Sequence, residues 1–333
     1  MESNGNSKIT GIGAFTPTQR VTSNELMREV GCDRFGIADD YISSNIGILE
    51  KRVADPTMEP SDLAVLASEA AIRDAGIRAD EIDLILYTGI TRDCEEPATA
   101  HLVQNKIGAP KAICIDVSNA CLGFMTGLSL ADSMLASGQA KTVLVCTGET
   151  PSRIMFEFFP QLIETRDIAV FKKMLGVLTV GDAGGAMIVQ PKAGSEQGWN
   201  WFGSQSDGRH SKLCYYKKSG TSLEGQMVMD KICALTLKAH EKLMQTTIAK
   251  LSCVPENVDK VYCHQVGAPP HSQLLKRTGL ESVDAPISFD LFGNLTSATI
   301  PVLMNLFKPK PKERLLFFCS GSGISVFQGG MQF

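Results

Sequence analysis

Apolar positions along the chain follow two different periods. Short β-branched or leucine-rich runs alternate with longer stretches in which apolar residues recur every three or four positions. Ile9 to Ala14 reads as a strand. Asp62 to Ala75 reads as an amphipathic helix, with an acidic residue in its first turn and Gly76 as its stop. Ile82 to Thr88 is an apolar strand, and Ala98 to Ile107 is a helix behind Pro97. A β-branched strand, Ile113 to Val117, leads into a helix of small and apolar residues, Gly123 to Leu135. Lys141 to Cys146 and Gly185 to Val189 are further strands. This alternation predicts an α/β fold with buried sheets.

The second half repeats the style. Leu223 to Ile248 is a long helical pattern, Val258 to His264 a strand, and His271 to Thr278 and Ile300 to Leu306 are helices. Leu315 to Ser320 and Ile324 to Phe327 close the chain as strands. Val143-Leu-Val-Cys-Thr-Gly148 has a counterpart in Leu315-Leu-Phe-Phe-Cys-Ser-Gly321, and each half has a long helix, so the pattern predicts an internal structural duplication. Two stretches break the rhythm. Pro151 to Gly176 is rich in Phe, Met and charge and suits a helical cap over a pocket; Trp199 to Gly220 reads as an irregular insertion.

Composition narrows the function classes. The 333 residues carry a net charge of −4 with acidic and basic residues interspersed, which gives no basic face for nucleic acid. No apolar run approaches the roughly 20 residues that span a bilayer. Met1 to Lys8 is polar and has no signal-peptide core, so a cytoplasmic location is expected. Ten cysteines in a chain of this length do not make a disulfide scaffold. Cys114, Cys146, Cys263 and Cys319 stand in strand-like apolar contexts and read as core packing. No C-x-x-C pair and no zinc-like His/Cys spacing occurs, so neither a metal nor a cofactor is expected.

Chemistry concentrates at Asp116-Val-Ser-Asn-Ala-Cys121-Leu-Gly-Phe124. Here a cysteine stands where a strand ends and a helix begins. A helix start offers unpaired N–H groups and partial positive charge, which favour thiolate, and a thiolate can carry an acyl group as a thioester. The same pattern also fits a buried structural cysteine. Two further segments look chemical: His264-Gln-Val-Gly after a buried strand, and Phe292-Gly-Asn294-Leu-Thr-Ser-Ala-Thr-Ile-Pro301. A His and an Asn aimed at one point can stabilise an oxyanion or enolate. Taken singly, His264 also fits a core histidine and Asn294 a turn or cap. Gly11-Ile-Gly13 lacks the third glycine of a dinucleotide fingerprint, and Gly181-Asp-Ala-Gly-Gly-Ala186 precedes a strand and reads as a packing turn. His101, His210, His240 and His271 have no partner spacing, and Trp199 and Trp201 read as packing residues.

At Ser118-Asn-Ala-Cys-Leu-Gly, His264-Gln-Val-Gly and Gly293-Asn-Leu-Thr-Ser-Ala-Thr-Ile-Pro, in that order, the chain resembles the β-ketoacyl-acyl-carrier-protein synthase III family of the thiolase superfamily. The resemblance implies a five-layered αβαβα fold from two similar halves, residues 1–190 with the nucleophile and the cap, and 191–333 with His264 and Asn294. It implies Cys121 as the acyl-accepting nucleophile and a Cys121-His264-Asn294 triad. The backbone N–H groups of Cys121 and Ser322 would form the oxyanion hole. It also implies a homodimer and a thioester partner, acyl-CoA or an acyl carrier protein. The family's His-Gln-Ala-Asn and following arginine are replaced by His264-Gln-Val-Gly-Ala-Pro269, and its N-terminal Trp and Arg by Tyr41 and Asn45.

A second resemblance lies in Thr91-Arg-Asp-Cys-Glu-Glu96-Pro-Ala-Thr-Ala, which is similar to the head-to-head acyl-condensing enzymes of olefin biosynthesis and the pyrone-forming ketosynthases. It implies that Glu96, with Glu95 beside it, reaches the partner subunit's site as base on the α-carbon of a second acyl chain. An acidic start to the helix at Ala98 explains the same residues. Cys319-Ser-Gly-Ser-Gly323 resembles a biosynthetic thiolase's second cysteine, but that family's Gly-His-Pro segment is absent. The implied activity is acyl transfer followed by Claisen condensation with a malonyl or acyl thioester. Acyl transfer to a hydroxyl or amine, and an inactive partner subunit, are the alternatives. The Phe- and Met-rich stretch from Ile154 to Leu178 fits either an apolar acyl tunnel or a packed helical hairpin.

Overall fold

Among the residues described by the computed structural model (2–194, 197–220, 222–253 and 255–333), ten strands build two five-stranded mixed sheets. They are β1 (Glu2–Ser3), β2 (Ser7–Phe15), β3 (Leu84–Tyr87), β4 (Ile113–Asp116), β5 (Val143–Glu149), β6 (Ala183–Pro191), β7 (Gly198–Ser206), β8 (Lys260–Cys263), β9 (Arg314–Gly321) and β10 (Ser325–Gln332). The first sheet runs β2-β6-β5-β3-β4 and the second β1-β7-β10-β9-β8. In each, an antiparallel pair is followed by parallel neighbours: β3 lies parallel to β4 and β5, and β8 lies parallel to β9. The runs β2-β6-β5-β3 and β7-β10-β9-β8 match strand for strand, antiparallel, antiparallel and then parallel, with β4 added at the edge of one sheet and β1 at the edge of the other, so the duplication expected from Gly148 and Gly321 is real in three dimensions.

Six helices complete the layers: α1 (Pro60–Ala75), α2 (Thr99–Ile107), α3 (Gly123–Ala136), α4 (Met229–Leu251), α5 (Ala268–Thr278) and α6 (Thr299–Leu306). α1 and α2 cover the outer face of the first sheet, and α4 and α5 the outer face of the second. α3 and α6 lie between the sheets, where Phe124, Met125, Leu128, Ile300, Leu303 and Met304 pack with residues of both. This is the five-layered αβαβα architecture of the thiolase fold. Its centre explains why α3 is apolar around most of its girth: a helix between two sheets keeps only a narrow exposed stripe, here Leu130, Ser133 and Ala136. Each large apolar side chain buried there contributes roughly 1.5–3 kcal/mol. The one buried acid of α3, Asp132, accepts from Asn6 N–H at 2.7 Å and Ser7 Oγ at 2.6 Å, and so ties down the start of the chain.

The Gly11-Ile-Gly13 pair serves packing. A Cβ on Gly13 would stand 2.1 Å from the carbonyl oxygen of Ala67 in α1, so the bare backbone is what lets helix and strand meet. Trp199 and Trp201 are core residues, each 1% exposed. Their surroundings correct one expectation: Trp199 to Gly220 is no irregular insertion. It begins with β7, which lies inside the second sheet, and continues through a 3₁₀ turn (Gly208–Leu213) into strand Cys214–Ser219. That strand pairs with Ser222–Met227, which corrects a second expectation. The long helix starts at Met229, not Leu223, because the residues before it are hydrogen-bonded into a hairpin and Leu223 and Met227 match a helical period only by coincidence. Pro151 to Gly176 is a cap of three short helices, Pro151–Glu157, Phe159–Glu164 and Ile168–Met174.

No helix among the described residues is long and apolar enough to cross a membrane.

Candidate active site

Cys121 sits in a single 3₁₀ turn, Ala120–Leu122, between the end of β4 and the first residue of α3. Ala120 is held at φ 49°, a left-handed conformation costly for a residue with a Cβ. The turn is pinned from the other half of the molecule: the Cys319 thiol donates to the Cys121 carbonyl at 3.5 Å. Gly321 lies so close that a Cβ there would stand 2.9 Å from the Asn119 carbonyl and 3.0 Å from Leu122 Cβ. That close approach brings Ser322 to the wall of the cavity that Cys121 faces.

His264 follows β8, and its N–H donates to Phe318 O at 2.7 Å, which extends the β8–β9 ladder by one residue. Its Nδ1 lies 3.2 Å from Thr299 Oγ1. That hydroxyl has one proton, and it donates it to the Thr296 carbonyl at 3.0 Å. Thr299 therefore accepts, Nδ1 carries the hydrogen, and Nε2 is left as the lone-pair nitrogen. Burial pushes the His264 pKa down to about 4, so the ring is neutral at ordinary pH.

Asn294 is held by its backbone, with its N–H on Thr179 O at 2.9 Å and its carbonyl accepting from Gly181 N–H at 3.1 Å. Its Oδ1 accepts from Thr296 N–H at 3.0 Å, which leaves the side-chain NH₂ as its donor to the cavity. Cys121, His264, Asn294 and Ser322 all line one narrow chamber of about 90 Å³. Cys121, Asn294 and Ser322 also line a channel of about 360 Å³ whose walls include Ile154, Met155 and Phe158 of the cap. On the other side the chamber shares Met227, Met229, Cys233 and Val266 with an open mouth of about 720 Å³.

The electrostatics correct the expectation of a resting thiolate. Burial pushes the Cys121 thiol well above its ordinary value, and the neighbouring Cys214, Cys319 and Glu149 push it further. A hydrogen bond from its own backbone pulls the other way and is outweighed. The resting pair is a thiol beside a neutral imidazole.

Glu96 is exposed and stands outside these cavities, in the irregular stretch between β3 and α2. From that stretch only Ile90 reaches the channel. Glu95 is exposed too. The departures from the family motif have physical reasons. A Cβ on Gly267 would stand 2.5 Å from Ile46 Cγ2, so the missing side chain lets the Tyr41–Ile46 segment close onto the site. Gln265 is buried and ties Pro286 O at 2.7 Å and Ser288 N–H at 2.9 Å. Tyr41 lines the mouth, while the Asn45 amide donates to Tyr41 O at 3.0 Å.

Sequence reasoning missed His240, Cys214, Thr299 and Glu149. His240 lines the chamber, with Nε2 2.9 Å from Ser320 Oγ and its pKa pushed down to about 3 by burial and then by His264. A histidine on the apolar face of α4, beside Thr236, Leu237, Leu243 and Met244, was its only signal. Among the described residues no group of three or more His, Cys, Asp or Glu side chains is disposed to hold a metal ion.

Two family models match this chain. Residues 115–208 match 3-oxoacyl-[acyl-carrier-protein] synthase III, and residues 248–329 match the C-terminal part of the same family. The chain belongs to the synthase III family. It is 27% identical over 311 residues to the β-ketoacyl-[acyl-carrier-protein] synthase III of Caldanaerobacter subterraneus, covering 89% of this chain and 87% of that one. Among solved structures it is similar to cerulenin-bound OleA of Xanthomonas campestris, with a TM-score of 0.90, 25% identity, and 99% and 98% of the two chains covered. OleA with bound lauric acid and lauroyl-CoA superposes with a TM-score of 0.88 at 25% identity, covering 98% and 99%. The synthase III family is one of ketosynthase-type condensing enzymes, and this member has the OleA-like form of the fold.

Proposed function

We propose that this synthase III takes an acyl group from a thioester onto Cys121 and joins it, by Claisen condensation, to the α-carbon of a second thioester. The observation that carries this reading is the convergence of Cys121, His264 and Asn294 on one small chamber between an apolar channel and an open mouth.

The first step begins as Cys121 Sγ attacks the thioester carbonyl while His264 Nε2 takes the thiol proton. Both groups are neutral at rest, so proton transfer accompanies attack rather than preceding it. The N–H groups of Cys121 and Ser322 hold the oxyanion. The donor thiol leaves with the proton from His264, and the acyl chain lies in the channel beneath Ile154, Met155 and Phe158. The carbanion of the second step arises by loss of carbon dioxide from a malonyl unit, its enolate held by His264 and the Asn294 NH₂, or by loss of an α-proton to Glu96. It attacks the acyl carbonyl, the carbon–carbon bond forms, and Cys121 leaves and is reprotonated.

Glu96 is remote from its own Cys121, so the second route needs a homodimer in which the loop serves the partner's site. The edge strand β4 supports this. It pairs with β3 on one side only and leaves Ile113 at 62% and Ile115 at 38% exposed, an unpaired apolar edge of the kind a second sheet covers. The mouth carries Lys172, Lys173, Lys231 and Arg277, cations suited to the phosphates of coenzyme A or a carrier's phosphopantetheine.

The test is intact-protein mass measurement after incubation with a panel of acyl-CoAs, followed by product mass after addition of malonyl or acyl thioester. A single acyl gain on the wild type, absent in Cys121→Ala, and a product lengthened by a new carbon–carbon bond are expected. An ester or amide product would replace condensation with simple acyl transfer. No acylation by CoA or carrier thioesters would make the chain an inactive subunit.

A further inference from the structure

Glu149 ends β5 with its side chain fully buried and, among the described residues, without a cation beside it. An isolated buried carboxylate is costly, so its hydrogen bonds decide whether it can stay. Oε1 accepts from Ile90 N–H at 2.9 Å and Ser297 Oγ at 2.7 Å. Oε2 accepts from Thr91 N–H at 3.2 Å and lies 3.1 Å from Thr91 Oγ1, whose proton is shared with Gly148 O at 3.0 Å. Thr147 Oγ1 adds a longer contact at 3.4 Å and lies 2.7 Å from Ser297 Oγ. Two of these donors are main-chain groups of the stretch that runs on to Glu96. Another sits three residues after Asn294. The position also has a twin: with Cys146 matched to Cys319 and Gly148 to Gly321, Glu149 corresponds to Ser322 of the other half.

We infer that Glu149 is a positioning residue that fixes two active-site segments against each other, the loop that ends in Glu96 and the turn that follows Asn294. The stretch between β3 and α2 has no ladder to hold it; charge-assisted bonds from two successive amides to Glu149 anchor its start, together with Tyr87 Oη on Thr91 O at 2.6 Å, while Asp93 on Ser61 holds it further along. The anchor is set beside the protomer's own channel, where Ile90 lines the wall, while Glu96 lies six residues further on. The part of this inference that concerns Glu96 rests on the proposed crossing of the dimer. In that arrangement the residue that steadies one protomer's Asn294 also steadies the base delivered to the other protomer.

Glu149→Gln is nearly isosteric and separates the two links. Whichever way the amide faces, its NH₂ meets Ile90 N–H or Thr91 N–H, so one main-chain anchor of the loop is lost. The experiment compares first-turnover acylation of Cys121, read as release of free CoA, with steady-state condensation of acyl-CoA. Condensation should fall at least tenfold in kcat, with KM within about twofold and acylation within about threefold. Thr91→Val, which keeps the Thr91 amide bond to Glu149 and removes the hydroxyl's links to Glu149, Gly148 O and Thr150 N–H, should give the same split at smaller size and serves if the first variant folds poorly. An equal loss in both reactions, or no loss in either variant, overturns the positioning role. Mixed dimers isolate the crossing. With Cys121→Ala and Glu149→Gln in one chain and a wild-type partner, the single acylatable site keeps its own Glu149 and receives the loosened loop, so condensation should fall as in the homodimer. If Glu96→Ala in that same position leaves condensation intact, the crossing fails, while the homodimer measurements still decide the role of Glu149.

Discussion

The two helices at the centre of the molecule begin in the same way and end up doing different things. Before α3 a 3₁₀ turn spans Ala120–Leu122, with Ala120 at φ 49°; before α6 a 3₁₀ turn spans Thr296–Ala298, with Thr296 at φ 51°. The two turns pack against each other. Cys121 is second in one and Ser297 second in the other. Each meets the end of an equivalent strand of the opposite half: Cys121 the Cys319–Gly321 end of β9, and Ser297 the Thr147–Glu149 end of β5. Backbone strain of this kind costs about 1–3 kcal/mol and is often read as a mark of function. Here both turns have it, and one has its second residue sealed off, although Thr296 borders the channel. Ser297 is 1% exposed and hydrogen-bonded to a buried carboxylate, while Cys121 opens onto a chamber. Strain is thus a property of the duplicated fold, and the cavity decides which turn can react.

The sharpest way to break this contrast is to exchange reactivity for inertness at the open turn. Cys121→Ala should lower acylation by at least about 10³-fold, by analogy with loss of other nucleophiles. Ser297→Ala should leave an acylatable Cys121. Intact mass after acyl-CoA treatment separates them; label on the Cys121→Ala chain would mean that the nucleophile lies elsewhere. Second in size is Glu96→Gln. If the exposed glutamate is a base for the partner's site, condensation of two non-malonyl thioesters should fall by about 10²-fold or more, with acylation unchanged. Unchanged condensation would return Glu96 to the role of a helix-start acid.

Electrostatics sharpen the comparison from the His264 side. With its pKa pushed down to about 4, His264 remains a base well below neutrality. First-turnover acylation at pH 5.5 should stay within about twofold of its value at pH 7.5, whereas a histidine near 6.5 would lose about tenfold. The stability consequence has a definite sign. His264 and His240 are both depressed in the fold, to about 4 and about 3, so below pH 6.5 the unfolded chain binds protons that the folded chain does not. Their stabilising neutrality is fully present above pH 6.5 and is lost as pH falls toward those values. Chemical denaturation between pH 7.5 and 4.5 should therefore show a falling midpoint, and His240→Gln should flatten the fall.

What the sequence made legible follows from range. The apolar runs of β3, β5 and β9 and the period of α1 are local, and they carried the layers. Cys121, His264 and Asn294 were legible because each stands in a contiguous motif at the end of a strand or the start of a helix. The hairpin Cys214–Met227 was not, since Leu223-Glu-Gly-Gln-Met227 satisfies a helical period while its partner strand lies a turn away. Gly267 announced a departure but not its reason, which is the approach of Ile46 from more than two hundred residues earlier. Thr299 stands inside the Gly293–Pro301 motif and Glu149 directly after Gly148, but neither stretch announced a role for them. Each acquires meaning from hydrogen bonds to segments distant in sequence: Thr299 to His264, and Glu149 to Ile90, Thr91 and Ser297.

Thr299 gives the smallest and most pointed prediction, because it is where the sealed turn serves the open one. Its hydroxyl donates back to Thr296, the strained residue of that turn, and accepts from His264 Nδ1. The geometry of the inert elbow thereby sets the tautomer of the histidine that attends the reactive elbow. Thr299→Val keeps shape and deletes both bonds. One neutral hydrogen bond contributes about 0.5–1.5 kcal/mol, so acylation should slow by about two- to tenfold. Thr299→Ser, which retains the hydroxyl, should recover most of the rate. A rate kept in Thr299→Val and lost in Thr299→Ser would point to packing of the β-branched methyl at the start of α6, and the second elbow would then be a structural relic with no hold on the first.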